Sequence, residues 1–208
     1  GEYLAIMTQD LSFIHRFEPG TSGAAPLLLL HGTGSDENDL LPLGRALVPD
    51  RALLSPRGKV LENGMPRFFR RLAEGVFDEQ DVIKRAHELA DFLIEAGKAY
   101  KLAKPVAVGF SNGANIAAAI LLLRPEALSG AILMRAMVPL AKPPQAELAQ
   151  RPVLIISGAS DHIIPDSNAN LLATMLKNAH ADVTHETLPT GHNLTQNDVT
   201  LATKWLNR

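Results

Sequence analysis

The sequence predicts an α/β fold in which helices cover both faces of a mainly parallel sheet. Strand-like and helix-like segments alternate along the chain, as they do in repeated βαβ units. Most of the strand-like segments are continuous apolar runs, such as PLLLLHG, which is typical of strands buried on both faces. No internal repeat or break in composition divides the 208 residues, so we expect one domain over residues 1–208.

The elements follow one another in regular order. Apolar runs predict strands at 27–30, 52–54, 105–110, 130–136, 152–159 and 183–189. Apolar spacing and capping residues predict helices at 36–47, 78–100, 112–123, 165–178 and 195–206. The strand at 183–189 alternates polar and apolar residues, which favours a sheet edge. The proline-containing segment 142–152 is interpreted as a loop with a short helix.

Composition narrows the function classes. The net charge is −2, so nothing marks a nucleic-acid-binding surface. The chain has no cysteine, which excludes disulfides and thiolate nucleophiles and fits a cytoplasmic location. The N-terminal stretch GEYLAIMTQD lacks the pattern of a secretory signal, and no apolar run approaches the ~20 residues that span a bilayer. We therefore expect a cytoplasmic protein without membrane insertion.

One serine stands between two glycines where a predicted strand becomes a predicted helix. The segment Gly109-Phe110-Ser111-Asn112-Gly113 has the Gly-x-Ser-x-Gly spacing of a nucleophile elbow, a tight turn that exposes the serine hydroxyl above the sheet. The N-terminus of the following helix would favour negative charge beside it. Glycine and serine also occur in ordinary turns, so a purely structural turn is the alternative. In this context we predict that Ser111 is a nucleophile.

A serine nucleophile needs a base and a group that orients the base. His192 follows the last predicted strand in LPTGHN, and Asp161 follows the preceding strand in SGASDH. The order Ser111, Asp161, His192 is that of α/β-hydrolases. His162 is the weaker candidate for the base, because its neighbour Asp161 is needed to orient His192.

An oxyanion formed at Ser111 needs hydrogen-bond donors. The backbone N–H groups of Asn112 and Thr33 are the candidates, with His31 bracing the loop that carries Thr33. The acidic residues at 36, 37 and 39 open a predicted helix and are better explained by capping than by metal binding. We therefore expect no metal site.

Residues near the expected mouth of the site are candidates for substrate binding, and core packing is the alternative for the phenylalanines and the methionine among them. The candidates are Phe68, Phe69, Arg71, Arg135 and Met137. Arg135 ends a predicted strand on the active-site side, where an arginine could bind a substrate carboxylate through its planar fork. A structural ion pair with an acidic residue is the competing interpretation of Arg135.

The motifs together resemble the phospholipase/carboxylesterase family of small α/β-hydrolases, which includes acyl-protein thioesterases. The resemblance covers the chain from about Pro26 and rests on LLLLHGTGSDENDLLPL, SPRGKV, RFFRRLAEGVFDEQDV, GFSNGANIAAAILL, LMRAMVPL, SGASDHIIP and GHNLTQNDV. It is closest to the bacterial carboxylesterase branch. It implies a serine esterase with a Ser111-Asp161-His192 triad, a shallow site without a lid domain, no cofactor, and a homodimer as a candidate assembly.

The expected activity is therefore hydrolysis of small-molecule carboxylic esters. A thioesterase or a lysophospholipase of the same family is an alternative, although asparagine stands at Asn112 where the thioesterase branch typically has glutamine. A non-catalytic ligand-binding protein on a hydrolase scaffold is a further alternative. Such proteins often lose a member of the triad, and this chain has all three.

Overall fold

A seven-stranded sheet forms the centre of the protein. The computed structural model describes residues 10–208, so the N-terminal stretch that carried the signal-sequence argument lies mostly outside the described residues. The strands of the sheet are β1 (His15–Glu18), β2 (Leu27–Leu30), β3 (Leu53–Pro56), β8 (Val106–Phe110), β9 (Gly130–Met134), β10 (Pro152–Gly158) and β11 (Asp182–Leu188). Their order is β1-β3-β2-β8-β9-β10-β11, and every neighbouring pair except β1–β3 is parallel.

Two short hairpins lie between β3 and the longest helix. One pairs β4 (Val60–Glu62) with β5 (Met65–Arg67), and the other pairs β6 (Arg71–Ala73) with β7 (Val76–Phe77). Neither hairpin joins the central sheet.

Helices cover both faces of the sheet. They are α1 (Leu41–Leu47), α2 (Glu79–Tyr100), α3 (Asn112–Leu123), α4 (Asp166–Asn178) and α5 (Gln196–Leu206). One apolar core holds buried residues of α2, α3 and α4, and a second core on the opposite face holds buried residues of α1 and α5. This is the single-domain α/β-hydrolase architecture predicted from the sequence. None of the helices within residues 10–208 is long and apolar enough to cross a membrane.

Helix α3 is buried on every side over its first eleven residues. It packs against β8 and α2, which explains why its sequence NGANIAAAILLL has no polar face. The first turn of α3 is equally crowded, because a Cβ atom added at Gly113 would lie 2.0 Å from the carbonyl oxygen of Leu30 in β2. The glycine after the serine therefore lets helix and sheet meet backbone to backbone.

The structure departs from the sequence predictions in a few segments. Residues 142–152 contain no helix, because the N–H groups of Leu148 and Gln150 donate to the carbonyls of Ala179 and His180 instead of to a helical turn. The predicted helix at 36–47 begins only at Leu41. Strand β1 and both hairpins were not predicted. The edge position of β11 is confirmed.

The substitution Gly113→Ala should destabilise the fold by about 3 kcal/mol, because its methyl group would overlap backbone atoms that cannot rotate away. Urea denaturation measures this loss. Gly23→Ala is the matched control, since an added Cβ there meets no described atom within 4 Å, and its effect should stay within about 0.5 kcal/mol. Equal effects of the two substitutions would contradict the close approach of α3 to β2.

Candidate active site

Three polar side chains meet at the carboxyl edge of the central sheet. Ser111 follows β8, Asp161 follows β10, and His192 follows β11. The carboxyl ends of parallel strands share one edge of a sheet, which is where ligands bind in open α/β folds. Asp161 and His192 lie 50 and 81 positions after Ser111 in the sequence. In the fold, His192 contacts Ser111 and Asp161 contacts His192.

The three side chains form a continuous hydrogen-bonded chain. Nε2 of His192 lies 3.0 Å from Oγ of Ser111, and Nδ1 of His192 lies 2.9 Å from Oδ2 of Asp161. The other carboxylate oxygen of Asp161 accepts hydrogen bonds from the N–H groups of Ile163 and Ile164. Because the carboxylate is fixed in this way, it holds the proton on Nδ1 and leaves Nε2 free to accept one from the serine. His162, by contrast, is exposed.

The turn around Ser111 is strained and tightly packed. Ser111 has a φ of 53°, in a region that residues other than glycine rarely adopt. Its N–H donates to the carbonyl of Met134 in β9 at 2.9 Å. A Cβ atom added at Gly109 would lie 2.6 Å from the carbonyl oxygen of Gly113. The two glycines of the motif therefore make room for the strained serine between them.

A third glycine fixes the loop that carries His192. Gly158 ends β10, and an added Cβ there would lie 2.4 Å from the carbonyl oxygen of Gly191. The ring of Phe110 packs against the imidazole of His192, with ring centroids 5.4 Å apart. Gly158 was not predicted as part of the site, because its contact with Gly191 joins parts of the chain that are distant in sequence.

The structure corrects the prediction that Arg135 binds substrate. Its side chain is fully buried and forms a two-pronged ion pair with Asp198, with both N–O distances 2.9 Å. The guanidinium also donates to the carbonyls of Gly191 and Asn193, which flank His192. Arg135 is thus a structural residue that positions the His192 loop, and its partner is an acid of α5.

The two backbone N–H groups predicted to bind an oxyanion both lie beside Ser111. Among residues 10–208, no hydrogen bond to the N–H of Thr33 is formed, and the N–H of Asn112 belongs to the first turn of α3, where intrahelical acceptors are lacking. Thr33, Ser111 and Asn112 border the same open cleft, which has a volume of about 30 Å³. The positive end of the α3 dipole adds to the attraction of negative charge there.

His31 braces the loop that carries Thr33. Its Nδ1 donates to the carbonyl of Gly32 at 2.7 Å, and its Nε2 accepts from the N–H of Gly58 at 3.0 Å. Both bonds are satisfied only by the neutral ring protonated on Nδ1. Burial lowers the pKa of His31 below its usual value, against opposing effects of the Gly32 carbonyl and the nearby acidic residues.

The walls of the cleft differ in part from the sequence prediction. Arg71 and Met137 border it, and the guanidinium of Arg71 is paired with Glu62 at 2.8 Å. Phe68 and Phe69 do not: both are buried in the apolar core, with 3% and 0% of their surface exposed, so their assignment as substrate-binding residues is corrected. Residues that border the cleft but were not predicted are Arg67, Glu74, Gly75, Phe77, Asn115, Ile163 and Ile164. Four of these belong to the unpredicted hairpins or to the turn between β6 and β7.

The alternatives to this cleft within the described chain, residues 10–208, are a metal site or another cavity. No group of three or more histidine, aspartate or glutamate side chains in the described part of the chain is arranged to hold a metal ion. A larger cavity of about 270 Å³ lies at the opposite edge of the sheet, beside Leu93, Gly97 and Pro105. Its walls are mostly aliphatic and carry no nucleophile paired with a base. The cleft beside Ser111 is therefore the candidate active site, and its groups are suited to nucleophilic attack on a carbonyl with stabilisation of the resulting oxyanion.

Known proteins resemble this chain over nearly its whole length. The model of the phospholipase/carboxylesterase family matches residues 17–208. The hydrolase MhqD of Bacillus subtilis is 46% identical over 193 residues, which cover 92% of this chain and 96% of MhqD. The structure of the Bacillus cereus carboxylesterase is 46% identical with a TM-score of 0.94, covering 100% of this chain and 99% of that one. The structure of YahD with malic acid is 29% identical with a TM-score of 0.88, covering 95% and 98%.

The substitution Arg135→Met should destabilise the fold by about 3–5 kcal/mol, because it leaves the carboxylate of Asp198 buried without its partner. The double substitution Arg135→Met/Asp198→Asn should recover most of that loss in urea denaturation. It should still label Ser111 with a fluorophosphonate roughly tenfold to a hundredfold more slowly than the unmodified protein, since the carbonyls beside His192 lose their donor. Labelling at the original rate in the double variant would show that Arg135 does not position His192.

Lowering the pH below about 6.5 should destabilise the fold through His31. The folded protein keeps the ring neutral, so below the unfolded pKa the unfolded chain binds a proton that the folded one does not, and the free energy of unfolding falls by at most about 1.4 kcal/mol per pH unit. Urea denaturation between pH 8 and pH 5 measures this slope. The slope should be smaller in His31→Gln but should not vanish, because burial also lowers the pKa of His185. An unchanged slope would contradict this account.

Proposed function

This chain belongs to the phospholipase/carboxylesterase family of hydrolases, and on that premise we propose that it hydrolyses small carboxylic esters through an acyl-enzyme on Ser111. The observation that carries the proposal is the hydrogen-bonded chain from Ser111 Oγ through His192 to Asp161. Such a chain serves to activate a hydroxyl for attack on an acyl carbon.

In the first half of the proposed reaction, Ser111 is acylated. Nε2 of His192 takes the hydroxyl proton as Oγ bonds to the ester carbon, and Asp161 stabilises the imidazolium. The carbonyl electrons move to the oxygen, which accepts hydrogen bonds from the N–H groups of Thr33 and Asn112. When the tetrahedral intermediate collapses, His192 gives its proton to the departing alcohol oxygen. General-base help contributes roughly 10²–10⁴ in rate, and one oxyanion donor roughly 10²–10³.

In the second half, water replaces the alcohol. His192 takes a proton from the water molecule as the water oxygen bonds to the acyl carbon. The N–H groups of Thr33 and Asn112 again donate to the oxyanion. Collapse then breaks the bond to Ser111, whose Oγ regains the proton from His192. The carboxylic acid product leaves and the resting state returns, with no cofactor consumed.

The walls of the cleft favour small, polar esters over long-chain substrates. Polar side chains of Arg67, Arg71, Glu74 and Asn115 border it beside a similar number of apolar ones, so its wall is mixed and gives an extended acyl chain no continuous apolar surface. The ligand named in the YahD structure, malic acid, is also small and polar. This counts against a lysophospholipase, while a thioesterase acting on short acyl groups stays the second candidate. The homodimer and the cytoplasmic location expected from the sequence stay predictions.

Labelling with a fluorophosphonate and assay with p-nitrophenyl acetate test the proposal. Ser111→Ala should abolish labelling and nearly all turnover while the thermal melting temperature stays close to that of the unmodified protein. His192→Ala should lower kcat by about 10³-fold or more, whereas His162→Ala, the matched control, should change it less than about tenfold. Labelling that persisted in folded Ser111→Ala would place the nucleophile elsewhere. Ser157, whose Oγ lies 2.9 Å from Nε2 of His185, would then be the first to examine.

A further inference from the structure

Arg67 is a buried cation without a carboxylate partner. Only 2% of its surface is exposed, yet within residues 10–208 no aspartate or glutamate lies within ion-pair distance of it. Burial and, to a smaller extent, the nearby cation of Arg71 lower the pKa of Arg67 to about 10, against the opposing effect of the Glu62 carboxylate. The side chain still carries its charge at neutral pH. An isolated buried charge is costly, and an incoming anion would relieve that cost.

Only part of the hydrogen-bonding capacity of Arg67 is used. Nε donates to the carbonyl of Phe69 at 2.7 Å, and Nη1 donates to Oγ1 of Thr33 at 2.9 Å. A guanidinium has five N–H groups, so donors remain on the Nη1–Nη2 end. That end has the spacing of the two oxygens of a carboxylate. The ring of Phe69, with its centroid 5.3 Å from Cζ, helps hold the guanidinium in its plane.

The backbone around Arg67 is also fixed. A Cβ atom added at Gly58 would lie 2.4 Å from the carbonyl carbon of Arg67, so the chain crosses it at close range. The N–H of Phe68, the next residue, donates to Oδ1 of Asn112 at 2.7 Å. A rigid setting of this kind reduces the entropy lost when a ligand binds.

The guanidinium lies beside the proposed reaction centre. Arg67 borders the same cleft as Ser111, and its hydrogen bond to Thr33 places it next to a proposed oxyanion donor. The side-chain Nδ2 of Asn112 is buried and has no hydrogen-bond partner, which adds a second unsatisfied donor to this wall. The acidic groups nearby do not satisfy them, since Glu62 is paired with Arg71 and Glu74 is exposed at the surface.

We propose that Arg67 binds a carboxylate of the substrate, so that the preferred substrates are esters carrying a free carboxylate within a few bonds of the scissile carbonyl. Half-esters of short dicarboxylic acids and acyl esters of small hydroxy acids have this chemistry. The inference rests on the proposed esterase function and names its substrate class. It moves the carboxylate-binding role expected of Arg135 to an arginine whose fork is still open.

Two pairs of isosteric esters test the inference. Monomethyl succinate and methyl succinamate differ by a carboxylate against an amide in the acyl part, and 3-acetoxybenzoate and 3-acetoxybenzamide differ in the same way in the alcohol part. The unmodified protein should show a kcat/KM about tenfold to a hundredfold higher for the acid than for the amide in at least one pair. Equal values in both pairs would overturn the inference.

Substitutions at Arg67 and Arg70 distinguish binding of the substrate carboxylate by Arg67 from structural support of Thr33 by Arg67. Arg67→Met should abolish the preference for the acid while the protein still hydrolyses the matching amide-containing ester. Arg70→Met is the control, because it removes the same charge from an exposed neighbour paired with Asp78. It should leave the preference intact. A variant at Arg67 that loses activity equally on both esters of the preferred pair would show that Arg67 only supports Thr33, and the inference would fall.

Binding measurements keep the test independent of turnover and of the folding of Arg67→Met. Calorimetry on Ser111→Ala should show tighter binding of the acid than of the amide, and adding the conservative Arg67→Lys change should reduce that difference about tenfold or more by removing the planar fork. If no ester were hydrolysed yet the acid bound more tightly, the esterase proposal would fail and the carboxylate site would stand. If the neutral esters were hydrolysed and no preference for the acid appeared, the carboxylate site would fail and the esterase proposal would stand.

Discussion

The buried ion pair between Arg135 and Asp198 is the interaction on which the active-site edge depends. All five N–H groups of Arg135 have acceptors: the two carboxylate oxygens of Asp198 and the carbonyls of Ile156, Gly191 and Asn193. This complete pairing offsets the high cost of removing two charges from water. It also ties the end of β9 to β10, to α5 and to the loop of His192, and it holds Arg135 itself at a φ of 57°. One side chain thus connects the elements that must keep His192 within reach of Ser111.

Close backbone contacts define the rest of that edge. Gly113 lets α3 approach β2, and Gly158 lets the end of β10 approach the loop before His192. Side chains at these positions would push apart the elements that carry Ser111 and His192. The short distances from Ser111 to His192 and from His192 to Asp161 therefore depend on these close backbone contacts. The packing around Ser111 maintains its strained backbone conformation.

The sequence predicted best what depends on local pattern. The strand at 27–30 and the helix at 112–123 have the predicted bounds, because continuous apolar runs and a capping turn define them without reference to distant residues. The hairpins at 60–67 and 71–77 were missed, since their strands are only two or three residues long and pair outside the main sheet. These hairpins supply much of the cleft wall, so the sequence indicated the Ser111-Asp161-His192 group more fully than the substrate-binding surface. The assignment of that group as catalytic remains a proposal.

The two buried arginines show why residue type and position in the sequence were not enough to predict the role of an arginine. Arg67 ends β5 and Arg135 directly follows β9. Nothing in their immediate sequence shows that Arg135 would meet Asp198, 63 residues further on. The two arginines differ in how many of their N–H donors are paired. Arg135 uses all five on protein acceptors, whereas Arg67 uses two and forms no ion pair within residues 10–208. A buried arginine whose N–H groups are all paired has a structural role, because none of them is left to donate to a ligand. A partly paired one at the wall of a cleft keeps both charge and hydrogen bonds for a ligand, and an anion is the ligand that gains most from them.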